Sequence, residues 1–313
     1  MRVILAVMMA TVILLPLQAS AATEQFWDHA RYDSDGVQVD GGTIGFTTHW
    51  NLSSNNDTEE VHSHNVDEMP RLVEIYTATW CTNCVTTQGI MNEAIGDSNV
   101  ELIHYHRHWF EPRDPFGSNS TEERWTNTYG HAVTLNGGAP RLAPTKVVDG
   151  ERMHYGIRPN SDSLMDDYTA SLSIGATGPL NGNISLNIHQ TEDSINFDWD
   201  ISSLSIATQD QYTLEPWILL IEEGAYFPDG SNGLETYEHV LIEALSLDST
   251  ENSSGSLEAP LPSLWDGDDL KVAILVDWLV DTSPSGSPLP PPSIAYLLTS
   301  LVAMAYVRRP RLS

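Results

Sequence analysis

The sequence predicts an α/β domain followed by an all-β sandwich, exported and held at a membrane by its C-terminus. Three observations lead there. The hydrophobic periodicity changes near residue 175, two cysteines sit three apart at a strand-to-helix junction, and both ends of the chain are apolar.

Met1-Arg2, an apolar run from Val3 to Leu17 and the small-residue site Ala19-Ser20-Ala21 follow the order of a secretory signal. Residues 1–21 are therefore expected to be removed; the core is short for a span and Pro16 interrupts it. At the other end, 283–292 is a spacer rich in Pro, Ser and Gly. Residues 293–307 form an apolar segment expected to be a C-terminal transmembrane helix, and 308–313 are a basic tail with Arg308, Arg309 and Arg311. The positive-inside rule keeps those arginines in the cytoplasm and places 22–292 on the cell surface or the extracytoplasmic face. The layout also resembles the C-terminal sorting signals of surface proteins but lacks a recognisable sorting tripeptide, so retention and processing of the tail both stay open.

Charge excludes one class of partner. The formal net charge is -29, from 43 acidic residues against 14 basic ones, and only Lys146 and Lys271 are lysines. Nucleic acid demands a basic footprint, so no nucleic-acid partner is expected. Asn51, Asn56, Asn119, Asn183 and Asn252 head N-x-S/T sequons, consistent with export.

Residues 22–70 form a polar lead-in, with one hairpin expected around Val37 to Phe46 and the acidic, asparagine-rich stretch Asn51 to Asp67 as its least structured part. Leu72 to Tyr76 is a strand, Cys81 to Ile95 has helical spacing, and Val100 to Tyr105 is a second strand. A helix begins near Ser120, with Glu123 completing a capping box, and stops by Gly130. Pro144 leads into Lys146-Val147-Val148, Asp149-Gly150 turns the chain, and Arg152 to Tyr155 returns as a hairpin. A helix over Ser161 to Leu172 closes the unit. Strand, helix, strand, helix, hairpin, helix is the thioredoxin order, assigned to 71–174. Across 175–282, alternation at Ile184, Leu186, Ile188 and at Ile195, Phe197, Trp199, Ile201 marks half-buried antiparallel strands. Leu214 to Glu222, Tyr237 to Leu247 and Leu270 to Leu279 add more, which makes an immunoglobulin-like sandwich the expected architecture.

The mature chain has two cysteines, Cys81 and Cys84, in Cys81-Thr82-Asn83-Cys84. A first-turn cysteine faces the unpaired N–H groups and positive end of its helix, which favours thiolate and makes Cys81 the expected nucleophile. Cys84, one turn on, can resolve a mixed disulfide formed there. A structural bridge is the plainer alternative. Closing so short a loop contributes roughly 2 kcal/mol, whereas a bridge spanning a hundred residues would contribute about 4.7, so a staple belongs elsewhere. A zinc site would need two more ligands.

The run Val73-Glu74-Ile75-Tyr76-Thr77-Ala78-Thr79-Trp80-Cys81-Thr82-Asn83-Cys84 resembles the active-site strand and helix of secreted thioredoxin-like proteins, specifically surface proteins related to outer-membrane-protein-28. Trp217 to Gly224, Tyr237 to Leu241, Trp265 and Leu270 to Val276 resemble the sandwich that follows in that family. The resemblance implies a cis-proline facing the cysteines at Pro144, with Pro140 as competitor, and a free backbone at Ala143 for an extended substrate. It also implies a buried acid six residues before Cys81, where this chain has Ile75; Glu74 is adjacent but belongs to the opposite face of the strand.

His104, His106 and His108 alternate along a strand, so one face could gather three imidazoles for copper or zinc; solvated histidines at a strand tip are the plainer account, and no cofactor is expected. His62 and His64 lie in the polar lead-in. Asp33-Ser34-Asp35-Gly36 hints at a calcium loop whose spacing is not completed. Trp80, Trp109 and Trp125 could frame a substrate groove or simply pack. No phosphate loop or serine triad is present. The expected function is thiol-disulfide exchange with protein disulfides and a redox partner. An inert disulfide in a surface binding protein and a metal-handling role are the alternatives.

Overall fold

The computed structural model describes residues 25–52, 59–175, 180–206, 211–247, 253–267 and 269–280. The expected signal at 1–21, spacer, span at 293–307 and tail lie outside them. Among the described residues no helix is long and apolar enough to cross a membrane.

The protein is mostly β, with few helices. In chain order the elements are β1 (Asp28–His29), β2 (Gly41–Asn51), β3 (Glu59–Asn65), β4 (Arg71–Thr77), α1 (Thr82–Ile95), β5 (Val100–His106) and α2 (Asn119–Trp125). After one π turn come α3 (His131–Leu135), β6 (Thr145–Val148), β7 (Arg152–Tyr155) and α4 (Leu164–Ser173). The remaining strands are β8 (Leu180–Asn181), β9 (Asn183–Gln190), β10 (Ser194–Asp200), β11 (Ser205–Ile206), β12 (Tyr212–Tyr226), β13 (Thr236–Ser246), β14 (Ser254–Pro260) and β15 (Asp269–Val280).

One sheet runs through most of this. Its nine strands have the order β1-β7-β6-β4-β5-β13-β12-β15-β2, and a second sheet has the order β14-β10-β9-β3. The join is the parallel contact of β5 with β13 at His104 and Val240. The runs Trp217-Ile218-Leu219-Leu220-Ile221 and Val272-Ala273-Ile274-Leu275-Val276 are apolar without alternation because these strands are buried on both faces. Ile218, Leu220, Val272 and Ile274 face the second sheet, together with Phe46, Trp50, Phe197 and Trp199. Leu219, Ile221, Ala273 and Leu275 join Trp125, Tyr129 and Val133 on the α2 and α3 side. Around β4, Val73 and Ile75 pack beneath Met91 of α1 and Tyr168 of α4. Each such side chain contributes about 1.5–3 kcal/mol through burial.

The lead-in differs from expectation. No hairpin forms over Val37 to Phe46; a single bridge joins Tyr32 to Gln38. β2 instead pairs along its length with β15, from Gly41 opposite Leu279 to Asn51 opposite Asp269. Alternating Ile44, Phe46 and Trp50 supply the apolar face that draws it in. Residues 59–65, expected to be loose, form an edge strand on β9. The cap of α2 also shifts by two residues. Ser118 and Thr121 make the reciprocal capping box, while Ser120 Oγ bonds the Glu243 carboxylate and accepts from the Ala244 amide.

The Asp149-Gly150 turn is as expected. Both residues have positive φ, 51° and 67°, and Glu151 N donates to Val148 O at 3.1 Å, as a type I′ hairpin turn requires. A Cβ at Gly150 would collide with the Thr43 hydroxyl and amide of β2. Gly150→Ala is therefore expected to lower stability by about 2 kcal/mol or more, read as a fall in the urea midpoint at unchanged slope.

Candidate functional site

β4 ends at Thr77, and the turn Ala78-Thr79-Trp80 delivers the chain to α1 at Cys81. Cys81 is the N-cap, with extended backbone (φ -86°, ψ 94°), and its Sγ accepts the Cys84 amide at 3.1 Å. Its sulfur thus takes one of the donors that a helix leaves unpaired at its start. Cys81 and Cys84 are joined as a disulfide, with Cα atoms 5.2 Å apart. Trp80 and Ala143 pack against the sulfurs, and the Ala143–Pro144 peptide is cis. Sequence-distant Ala143 thus lies beside the cysteine pair, and the bond that follows it, to Pro144 and not Pro140, is the cis one among the described residues.

The turn is braced from two directions. Asp114 Oδ2 accepts the Thr79 amide at 2.8 Å, and Thr79 Oγ1 donates to Arg113 O at 3.1 Å. The Asn232 amide, from the connection between β12 and β13, and the Tyr237 hydroxyl of β13 both donate to Thr79 O, at 3.2 Å each. The sulfurs are consequently shielded, Cys81 being 5 % exposed and Cys84 4 %. Beside them, the Arg107 guanidinium lies over the Trp80 ring at 5.5 Å. Arg141 lies over Trp109 at 5.9 Å while pairing with Glu122 at 2.7 Å. Phe110, which follows Trp109 in the chain, is 98 % exposed at a positive φ of 59°. Trp125, by contrast, is core, stacked on Tyr76 at 4.8 Å.

Beneath the helix start, a row crosses the sheet: Lys146 on β6, Ile75 on β4 and His104 on β5 are register partners and share the α1 face. Lys146 is 1 % exposed. Its Nζ donates to Thr87 Oγ1 at 2.7 Å, and Thr87 Oγ1 donates to Cys84 O at 3.2 Å. Burial pushes this amine down to about 7. Nearby, a cavity of about 300 Å³ is lined by Cys84, Ile75, His104, His106, Asn232 and Tyr237. His106 is buried, and its Nδ1 lies 3.0 Å from Asp114 Oδ2. The Nε2 atoms of His104 and His106 are buried without a hydrogen-bond partner.

Three candidate sites do not assemble. β5 ends at His106, so His108 leaves the strand, its amide donating to Glu122 at 2.6 Å. Among the described residues no group of three or more His, Cys, Asp or Glu could hold a metal ion. Glu74 faces away from the cysteines, among Tyr105, Tyr129 and Arg124. Asp33 caps its own turn, accepting the Asp35 and Val37 amides at 3.0 and 2.8 Å. His62 meets Thr48 at 3.2 Å, and the His64 ring lies 4.4 Å from Phe46.

Lys146, Thr87, Asp114 and Asn232 escaped sequence reasoning. The one available signal was a lysine, in a chain that has two, placed inside an apolar strand just after Pro144.

No protein-family model matches the chain, and no curated protein does. Two solved structures are similar at 14 % identity. One is a structural-genomics protein of Agrobacterium tumefaciens, with a TM-score of 0.38 over 61 % of this chain and 78 % of the other. The second is HBP35 of Porphyromonas gingivalis, with a TM-score of 0.39 over 72 % and 80 %.

Proposed function

We propose that this chain is an extracytoplasmic, membrane-anchored thiol-disulfide oxidoreductase that acts on protein disulfides. One observation carries the reading: the Cys81–Cys84 disulfide stands at the start of α1 with Cys81 as the N-cap acceptor. The order β4, α1, β5, α2, β6, β7, α4 supports a thioredoxin fold for this part, and β9, β10 and β12 to β15 with β2 and β3 support an immunoglobulin-like sandwich. Cys81 attacks, Cys84 resolves, and the Ala143–Pro144 segment with Trp80 presents the edge on which an extended substrate would lie. The signal at 1–21 and the segment 293–307 would export and tether it, and the charge of -29 excludes nucleic acid as a partner.

The test is insulin reduction driven by dithiothreitol. The wild-type chain is expected to turn over and Cys81→Ser to be inactive, while Cys84→Ser accumulates mixed disulfides through Cys81. Shielding of both sulfurs favours a second reading, an inert bridge in a surface binding protein. Absence of turnover together with a reduction potential below about -300 mV would select it.

A further inference from the structure

Resolution of a mixed disulfide needs a base. Once Cys81 has attacked a substrate disulfide and one substrate thiolate has left, Cys81 Sγ is bonded to the remaining substrate sulfur. Cys84 must then lose its thiol proton before it can attack. The strand position behind the cysteines carries Ile75, which cannot take that proton. Its register partner on β6 is Lys146.

We propose that Lys146, held under α1 by Thr87, is the buried base that accepts the proton of Cys84. This rests on the pair being redox-active. In the step, the Cys84 thiol gives its proton to the neutral Nζ, and the thiolate forms the bond to Cys81 Sγ. The bond from Cys81 to the substrate breaks, and the second substrate sulfur leaves with the electron pair. Two electrons pass from the cysteines to the substrate disulfide, and the ammonium returns its proton to the leaving thiolate or to solvent.

Three observations and one electrostatic argument support the assignment. Lys146 lies two hydrogen bonds from the Cys84 backbone, through the hydroxyl of Thr87 one turn further along the same helix face. Among the described residues no carboxylate pairs with it, and the Tyr168 ring lies 5.6 Å from Nζ. The titratable groups around it are His104 on β5, His154 on β7, Tyr168 on α4 and Cys84 on α1. Burial holds His104 well below its usual range and His154 at about 3, while Tyr168 is raised above the ordinary phenol range, so all three stay neutral where Lys146 changes charge. A buried ammonium and a buried thiolate also stabilise each other, so the transfer creates a pair instead of two isolated charges.

The probe is Ellman's disulfide mixed with the dithiothreitol-reduced chain in a stopped-flow instrument. Attack by Cys81 releases one coloured thiolate, and resolution by Cys84 releases a second. In the wild type the second phase should rise with pH through an inflection near 7. Lys146→Met should slow that phase about 100-fold at neutral pH and move the inflection toward the ordinary thiol range. The first phase should change less than about twofold. Thr87→Val, which removes only the anchor, should give an intermediate slowing. An unchanged second phase in Lys146→Met would overturn the proposal. So would a loss appearing in His106→Asn alone, which would move the role to the His106 and Asp114 pair. Two release phases, with only the second dependent on Lys146, in the absence of insulin turnover would sink the protein-disulfide reading and leave the base in place.

Discussion

Asp277→Ala is expected to lower folding stability by about 3–5 kcal/mol, because it removes the one carboxylate that stands between two buried guanidiniums. Asp277 on β15 accepts from Arg31 Nη2 at 2.7 Å and from Arg124 Nη1 at 2.6 Å. Thr43 Oγ1 of β2 donates to the same carboxylate. Beyond Arg124 lies Glu74, which accepts at 3.3 Å from Arg124 and also takes the hydroxyls of Tyr105 and Tyr129. The cluster ties the lead-in, the cysteine-bearing unit and β15 into one network, and its side chains are 6 % exposed or less. The two arginines hold Asp277 well below the usual carboxylate range despite its burial. Its folded form therefore contributes stability above about pH 4, where an unfolded aspartate is ionised, and loses it only as pH falls further. Urea denaturation at neutral pH should show the full deficit, and Asp277→Asn, which keeps one acceptor oxygen but loses the charge and turns an NH2 donor toward the other arginine, should recover only part of it. A loss under about 1 kcal/mol for the alanine variant would mean that the two arginines find water or other partners.

Local pattern made the cysteine-bearing unit legible. Val73 and Ile75, the helix opened by Cys81, the Asp149-Gly150 turn and Pro144 each carry a signal within a few residues, and each is found where it was expected. The join of the sheet was not legible, since the pairing of β5 with β13 links His104 to Val240 and no short-range periodicity encodes it. β3 was missed because it is a charged edge strand, with Glu59 and Glu60 exposed, and such strands lack the apolar alternation that marks inner ones. At α2 two overlapping S/T-x-x patterns competed. The one with Glu123 looked stronger by composition, but Ser120 is needed at β13 and Ser118 caps instead. In the site, the disulfide and its proline were readable, whereas the support behind them was not. Asp114 reaches Thr79 from a loop, and Lys146 is buried by packing that only the assembled sheet provides.

That buried amine yields the second large effect. Lys146→Met is expected to make the oxidised chain more stable by about 3 kcal/mol at neutral pH, the opposite sign from Asp277→Ala. Burial lowers the amine from 10.5 to about 7, so the folded state binds its proton less readily than the unfolded state does. Below pH 7 both states carry the proton and folding bears the whole penalty, roughly 4–5 kcal/mol for such a shift. Between about 7 and 10.5 the unfolded chain holds more protons, so stability rises with pH; above 10.5 both forms are neutral and the penalty is gone. Losing the bond to Thr87 offsets about 1 kcal/mol of the gain. Methionine keeps the length and apolar stem of the side chain, so the site need not collapse. The difference between variant and wild type, followed by urea denaturation across this range, should therefore shrink as pH increases and fall to zero or below near pH 10. A pH-independent difference would show that the amine is solvated or paired. If the variant gains stability while its resolution phase slows, the same burial that destabilises the fold is what leaves Lys146 neutral and basic behind Cys84.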